Sequence, residues 1–242
     1  MPYSDLTLNS PSRLKRLSHG KRFRVAVDLI APRASERILD FGTGDGYLLQ
    51  QLATASPTAE VIGYEPDQVR CREAAQRYRT VGNIRVVSTL SEFGAGSFDK
   101  ICCLEVMEHL LKPDLEEALE SIRRLIDSSG SLVISVPIEI GAAAIVKYSV
   151  RRSLGHLEPG MTVWTVLKSV LGYKVDRYQE PTCYGHTGFD YRELETKLSS
   201  VGFQIESREF SPIPALRGAL NSQVFYKLRK ISDYELRQNE NS

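Results

Sequence analysis

Apolar residues recur along this chain with two different periods. Short runs rich in Ile, Leu and Val occur at 36–41 (ERILDF), 60–64 (EVIGY), 83–88 (NIRVVS), 98–104 (FDKICCL) and 131–137 (SLVISVP), bounded by turn residues, and each predicts a buried strand. Between them the apolar positions return every three or four residues. That spacing predicts helices over 47–55, 67 to about 78, and 115–125 with Asp114 as its cap, and a Ser128-Ser129-Gly130 turn then leads into the fifth strand. Ahead of the first strand, Leu14, Leu17, Phe23, Val25, Ala26 and Leu29 predict helical structure over 12–30, interrupted near Gly20. Strands alternating with helices of this length predict an α/β doubly wound fold, a mainly parallel sheet covered on both faces, whose ligands bind beyond the carboxyl ends of the strands.

The pattern changes after Pro137. Residues 138–182 hold two predicted helices, IGAAAIVKYSVRRSL and MTVWTVLKSVL, separated by Gly155-His156-Leu157-Glu158-Pro159-Gly160 and followed by an irregular stretch with Pro181. This is too long for a simple crossover and reads as a helical cap or lid inserted into a single domain spanning 1–242. The core resumes with a helix over 190–200, and two strands, GFQIESREF and NSQVFYKLR, follow. Only SPIPALRGAL separates them, which favours an antiparallel pair at the sheet edge. The tail over 233–242 reads as frayed.

Composition narrows the function classes. With 42% hydrophobic and 25% charged residues over 242 positions, the chain suits a soluble domain with one sizeable core. It has no run of 18 or more apolar residues, and MPYSDLTLNSPSRLKR lacks the features of a signal peptide, so a cytoplasmic location is expected. A formal charge of +1 means that the molecule as a whole is not built to attract nucleic acid or an anionic membrane, and DNA is not expected as a partner. Arg13, Lys15, Arg16, Lys21, Arg22 and Arg24 nevertheless cluster near the N-terminus, either as a solvated helix face or as a patch for phosphates or a membrane surface. Cys71, Cys102, Cys103 and Cys183 include no C-x-x-C pair, and Cys102 and Cys103 would point to opposite faces of a strand; all four read as reduced core thiols without a zinc site.

The chemistry concentrates in ILDFGTGDGYLL, residues 38–49, where an apolar strand breaks into Gly42, Gly44 and Gly46 before a helix. Such a loop lets backbone N–H groups approach a nucleotide. A dinucleotide fits poorly: the place of its third glycine is Tyr47, and Asp40 and Asp45 would each repel a phosphate about 4 Å away by about 4 kcal/mol near a protein surface. The same acids suit a ligand carrying an ammonium and a sulfonium, which points to S-adenosylmethionine. Glu65, at the tip of the second strand, is placed to accept both hydroxyls of a ribose, and Asp67 to cap the helix that follows.

On the motifs ILDFGTGDG, the acid of VIGYEPD, SFDKICCLEVMEHL and LIDSSGSLVISVP, the chain resembles the class I S-adenosylmethionine-dependent methyltransferases, of the type 11/23 kind, over about 36–137 with an echo at 186–229. The resemblance implies a seven-stranded sheet of Rossmann-like kind with the last strand antiparallel, and transferase activity. It implies cofactor roles for Asp40, Gly42 and Gly44 at the methionine end, for Glu65 at the ribose, and for Glu105 beside the methyl group. Where many relatives carry an acid for the adenine amino group, this chain has Ser88-Thr89-Leu90, so that contact falls to the Thr89 hydroxyl and the Leu90 backbone.

His109, in Glu105-Val106-Met107-Glu108-His109, is the candidate general base, the alternative being that it satisfies a backbone carbonyl. No metal ligand is assigned. The i, i+3, i+4 spacing of Glu105, Glu108 and His109 would nevertheless present all three on one helical turn, and His186 could join them, so a Mg²⁺ or Mn²⁺ site stays open. The expected acceptor is a small molecule or a lipid-linked glycan, methylated on oxygen, lying between the sheet and the 138–182 insert. The alternatives are an RNA 2′-O-methyltransferase with a metal site and a non-catalytic cofactor-binding module; peripheral membrane contact and oligomeric state are left open.

Overall fold

The structure is a computed structural model that describes residues 13–153, 155, 157, 160–171, 173–180, 183–216 and 221–232. Ser12, His156, Glu158, Pro159, Pro181 and the tail over 233–242 lie outside the described residues. In chain order the elements are α1 (Arg13–Ile30), β1 (Arg37–Phe41), α2 (Tyr47–Ala55), β2 (Glu60–Tyr64), α3 (Gln68–Tyr78), β3 (Ile84–Val87) and β4 (Phe98–Leu104). They continue with α4 (Lys112–Leu125), β5 (Ile126–Pro137), α5 (Ala142–Ser153), α6 (Val163–Val170), α7 (Tyr191–Ser200), β6 (Phe203–Ser211), a 3-10 turn (Pro214–Leu216) and β7 (Gln223–Lys230).

The seven strands form one sheet in the order β3-β2-β1-β4-β5-β7-β6. β1 pairs in parallel with β2 and β4, β2 with β3, and β4 with β5, whereas β7 runs antiparallel to both β5 and β6. Strand order reverses between β1 and β4. In a sheet of this kind that reversal opens a crevice at the carboxyl edge.

Alternation along the strands builds a core on each face. Leu39, Ile101 and Cys103 pack beneath α4 and α7 with Leu119, Ile122, Leu194 and Leu198, while Ile38 and Cys102 pack beneath α1 and α2 with Ala26, Ile30, Leu49 and Leu52. Cys102 and Cys103 thus face opposite sides, as strand geometry requires. Asp67 caps α3 by accepting the Val69 and Arg70 N–H groups, and Asp190 caps α7 by accepting that of Arg192.

Three boundaries differ from the sequence expectation. α1 runs unbroken through Gly20, a glycine costing a helix interior only about 1 kcal/mol. α4 begins at Lys112, so Asp114 lies in its first turn rather than at the cap; Pro113 suits that turn because its missing N–H has no partner there in any helix. β5 begins directly after α4 at Ile126 and absorbs the 128–130 turn as an irregularity, its register against β4 jumping from Phe98↔Ile126 to Lys100↔Ser131.

Phe98 is fully buried and meets Phe93 edge-on with ring centroids 5.0 Å apart, whereas Val69 is 58% exposed on α3. Phe98→Ala is expected to lower stability by about 3–5 kcal/mol and Val69→Ala by less than about 0.5 kcal/mol in urea denaturation. Equal costs would contradict this placement of the core.

Candidate active site at the carboxyl edge of the sheet

β1 ends at Phe41, and the chain must turn within five residues into α2. The Gly42 and Thr43 N–H groups both donate to the Tyr64 carbonyl at 2.9 Å, pinning the turn to the tip of β2. Gly42 has φ +81°, and a Cβ there would lie 2.6 Å from a Val106 methyl, so only glycine fits. Gly44 has φ +59° and nothing within 4 Å of an added Cβ. Its N–H donates to Glu65 Oε2 at 2.9 Å, while Glu65 Oε1 accepts the Asp67 N–H at 3.0 Å. The Glu65 carboxylate is therefore buried and held by one backbone bond on each oxygen, with a lone pair on each left for a ligand.

Asp40 is 3% exposed. Thr43 Oγ1 donates to its Oδ2 at 2.6 Å and Cys102 Sγ lies 3.6 Å from its Oδ1. Burial pushes the Asp40 carboxyl up to about 6; the bonds from Thr43 and Cys102 pull it back in part, and the charges of Glu65 and Asp45 raise it further. A cation brought to this carboxylate would relieve that cost.

The tip of β4 does not continue as a helical turn. Glu105 has φ +57°, donates its N–H to the Ser135 carbonyl at 3.0 Å, and accepts Ser135 Oγ on Oε1 at 3.0 Å. Its Oε2 lies 3.5 Å from Arg22 of α1. The spacing argument that grouped Glu105 with Glu108 and His109 therefore fails, because this backbone conformation turns its side chain toward α1 and β5. His109 is held differently. Its Nδ1 lies 3.0 Å from the Tyr184 carbonyl, while the Tyr184 N–H donates to the His109 carbonyl at 2.9 Å. A carbonyl can only accept, so Nδ1 carries the proton and Nε2 the lone pair.

Nε2 of His109 is 3.8 Å from Glu108 Oε1, and the His186 ring meets that of His109 edge-on at 4.7 Å between centroids. Glu108 is fully buried and neither of its oxygens has a hydrogen-bond partner. Burial pushes its carboxyl well above the ordinary value and the Glu105 charge adds to this, against the opposing charges of Arg22 and Arg177. Arg177 donates to the Glu108 backbone carbonyl and stacks on the Tyr184 ring at 4.0 Å. Ligand atoms of Glu108, His109 and His186 all lie within 4.8 Å of one another, a set from which Glu105 is missing.

A cavity of about 890 Å³ joins these groups, lined among others by Asp40, Gly42, Gly44, Glu65, Leu90, Glu105, His109 and His186. Thr89 does not reach it. The Thr89 side chain is exposed and its hydroxyl accepts the Ser91 N–H at 3.3 Å, closing a local turn outside the cavity lining. Cys183 also departs from expectation: it is half-buried in the cavity wall rather than in the core. The sequence reading missed Arg22 and Phe23 of α1, which wall the cavity beside Tyr47, the Phe23 and Tyr47 rings standing 4.7 Å apart. The apolar spacing of α1 gave its helix but not which turn faces a ligand. Among the described residues, none of 138–182 lines the cavity.

A sheet of this order, with a glycine turn after β1 and an acid at the tip of β2, is the Rossmann-like fold of the S-adenosylmethionine-dependent methyltransferases of class I. A family described as a methyltransferase domain matches residues 18–208, and the chain belongs to that family. It is 28% identical over 117 residues to a ubiquinone biosynthesis O-methyltransferase of Xanthomonas oryzae pv. oryzae, covering 46% of this chain and 48% of that one. It is 32% identical over 115 residues to a demethylmenaquinone methyltransferase of Thermus thermophilus, covering 46% and 51%. The matched part thus spans about half the length of these curated relatives. Among solved structures, a TehB-like SAM-dependent methyltransferase of Corynebacterium glutamicum superposes with TM-score 0.58 at 19% identity, covering 94% of each chain.

The buried Asp40 gives a stability test. Its native carboxyl holds a proton up to about pH 6, whereas the unfolded chain releases it near the ordinary value of 3.8. The contribution is undiminished below pH 3.8, falls between 3.8 and 6, and above pH 6 amounts to a cost of about 3 kcal/mol. Without ligand, Asp40→Asn is expected to be more stable than the parent at pH 7.5 by up to that amount in urea denaturation, the gain vanishing as pH approaches 4. A gain independent of pH would contradict it.

Proposed function

We propose that the chain transfers the methyl group of S-adenosylmethionine to an oxygen of a small-molecule acceptor. The observation that carries this is the pairing of a buried carboxylate seeking a cation, Asp40, with an imidazole lone pair, His109 Nε2, on the wall of one cavity. When bound, the cofactor supplies an electrophilic methyl on a sulfonium, whose sulfur leaves with the S–C electron pair.

Asp40 supplies the counter-charge at the cationic methionine end, and Gly42 and Gly44 let the backbone come close. Glu65, already fixed by the Gly44 and Asp67 N–H groups, offers its remaining lone pairs to the ribose hydroxyls. Leu90, which lines the cavity, would meet the adenine through its backbone. Glu105, tied to Ser135 and Arg22, adds a negative charge near the methyl group. His109 Nε2 takes the acceptor hydroxyl proton as the new O–CH3 bond forms, and the Tyr184 carbonyl supports the resulting imidazolium through Nδ1–H. The likeness to a ubiquinone biosynthesis O-methyltransferase and a demethylmenaquinone methyltransferase supports a small acceptor. A lipid-linked glycan is the other acceptor class that we propose to test. The helices of 138–182 would then act as a cap at a distance from the cofactor, with α1 as the nearer wall.

A second reading adds a divalent cation held by Glu108, His109 and His186, favoured by the buried Glu108 carboxylate that has no hydrogen-bond partner. Two imidazoles and one carboxylate suit Mn²⁺ or Zn²⁺ better than Mg²⁺. Mn²⁺ titrated into the protein in a calorimeter should give heat that Glu108→Gln abolishes; no heat in the parent would leave His109 acting alone.

In a thermal-shift panel, S-adenosylmethionine and S-adenosylhomocysteine are expected to raise Tm with concentration, and NAD or NADP to leave it unchanged. Glu65→Ala should weaken cofactor binding about tenfold or more. His109→Gln should leave that affinity unchanged and slow turnover about 10²–10⁴-fold. Stabilisation by NAD alone would overturn the reading.

A further inference from the structure

Among the described residues, eleven large apolar side chains are exposed, and eight of them fall between Ile145 and Tyr173. Trp164 and Leu167 on α6 and Leu171 at its C-cap are 65%, 46% and 70% exposed and follow one another at i, i+3 and i+7, so they form a stripe along one side of the helix. The other side is already used: Val166 and Ser169 are buried, and Ser169 Oγ donates to the Glu139 carbonyl at 3.0 Å. A Thr162–Thr165 capping box fixes the start of the helix. An apolar stripe held outward on an anchored helix marks a contact surface.

The charges around the stripe indicate what it meets. Residues 142–174 carry five basic side chains (Lys147, Arg151, Arg152, Lys168 and Lys174) and one acid, Glu158, in a chain that as a whole nearly balances 31 basic against 30 acidic residues. Lys147 and Arg151 are held by the buried Glu139, and Lys174 by Glu193. Among the described residues, Arg152 and Lys168 have no carboxylate partner; Arg152 donates to the Tyr148 hydroxyl and Lys168 lies over the Trp164 ring at 5.8 Å. A second copy of this chain would oppose this cationic surface with its own across a two-fold contact. An anionic surface would complement it.

We propose that the outer face of α6, with Tyr173 beyond its end, docks on an anionic phospholipid bilayer. Trp164 and Tyr173 suit the headgroup level, Leu167 and Leu171 the acyl boundary, and Arg152 and Lys168 the lipid charges. No helix among the described residues is long and apolar enough to cross a membrane, so this contact lies along the surface. The proposal does not rest on the methyl-transfer reading.

Trp164 is the single tryptophan of the chain and reports on this face directly. Its emission is expected to shift to the blue when the protein is titrated with vesicles of phosphatidylcholine and phosphatidylglycerol, and to move far less with phosphatidylcholine alone. Raising salt from about 0.1 M to about 0.5 M should weaken the binding several-fold. Leu167→Gln combined with Leu171→Gln should lower the partition about tenfold or more. Arg152→Gln combined with Lys168→Gln should do the same on anionic vesicles only. None of these residues lines the cavity, so an unchanged cofactor-induced Tm shift, or failing that an unchanged circular dichroism spectrum, shows that the variants are folded. An unshifted spectrum with anionic vesicles, equal binding to both vesicle types, or a blue shift that grows with protein concentration in the absence of lipid would each overturn the proposal.

Discussion

Burying the Asp40 carboxylate at the end of β1 costs free energy that water would otherwise supply, and the groups around it recover part of that cost. Thr43 reaches back to donate a hydrogen bond, which requires the chain to turn immediately after Phe41. That turn places glycines at positive φ, brings the Gly44 N–H onto Glu65, and so couples the tips of β1 and β2. What hydrogen bonds leave unrecovered is the charge itself. The fold therefore holds an anion in place beside a cavity, and that suits a cationic ligand.

A second set of constraints brings distant segments of the chain to the same edge. The reciprocal bonds between His109 and Tyr184 join the β4 turn to a segment 75 residues further along, and they also fix which nitrogen of the imidazole carries the proton. Arg177 joins that assembly by donating to the Glu108 carbonyl while stacked on Tyr184. From the other side, α1 supplies Arg22 to Glu105. The cavity is thus closed by residues that precede the first strand and follow the fifth, which leaves the outer face of α6 clear of the site.

Where local physics decides, the sequence was readable. Ile38, Leu39 and Phe41 declare a buried strand around Asp40, and Asp67 declares a helix start because its carboxylate can reach the N–H groups that follow. Asp40, Gly42, Gly44 and Glu65 were placed together because a strand–turn–helix unit and its neighbour fix their relation through backbone alone. Thr89 falls outside the cavity lining, and its hydroxyl serves its own turn, a local use that the sequence pattern does not distinguish from a ligand contact. Glu105 was misgrouped because the i, i+3, i+4 rule presumes helical φ, and its φ is +57°. Arg22 and Phe23 reach the cavity through the packing of α1 on α2 and β5, a tertiary fact that periodicity cannot carry.

The most direct test of Asp40 as the counter-charge for the methyl donor is the pH dependence of S-adenosylmethionine affinity, measured by calorimetry on the parent chain and on Asp40→Asn. With the free carboxyl titrating at about 6, affinity in the parent should be level above pH 7 and fall by about tenfold per pH unit below 6, while the Asn variant binds weakly at every pH. Parent affinity that is unchanged from pH 7 to pH 5, or an Asn variant that binds as tightly as the parent, would contradict the account.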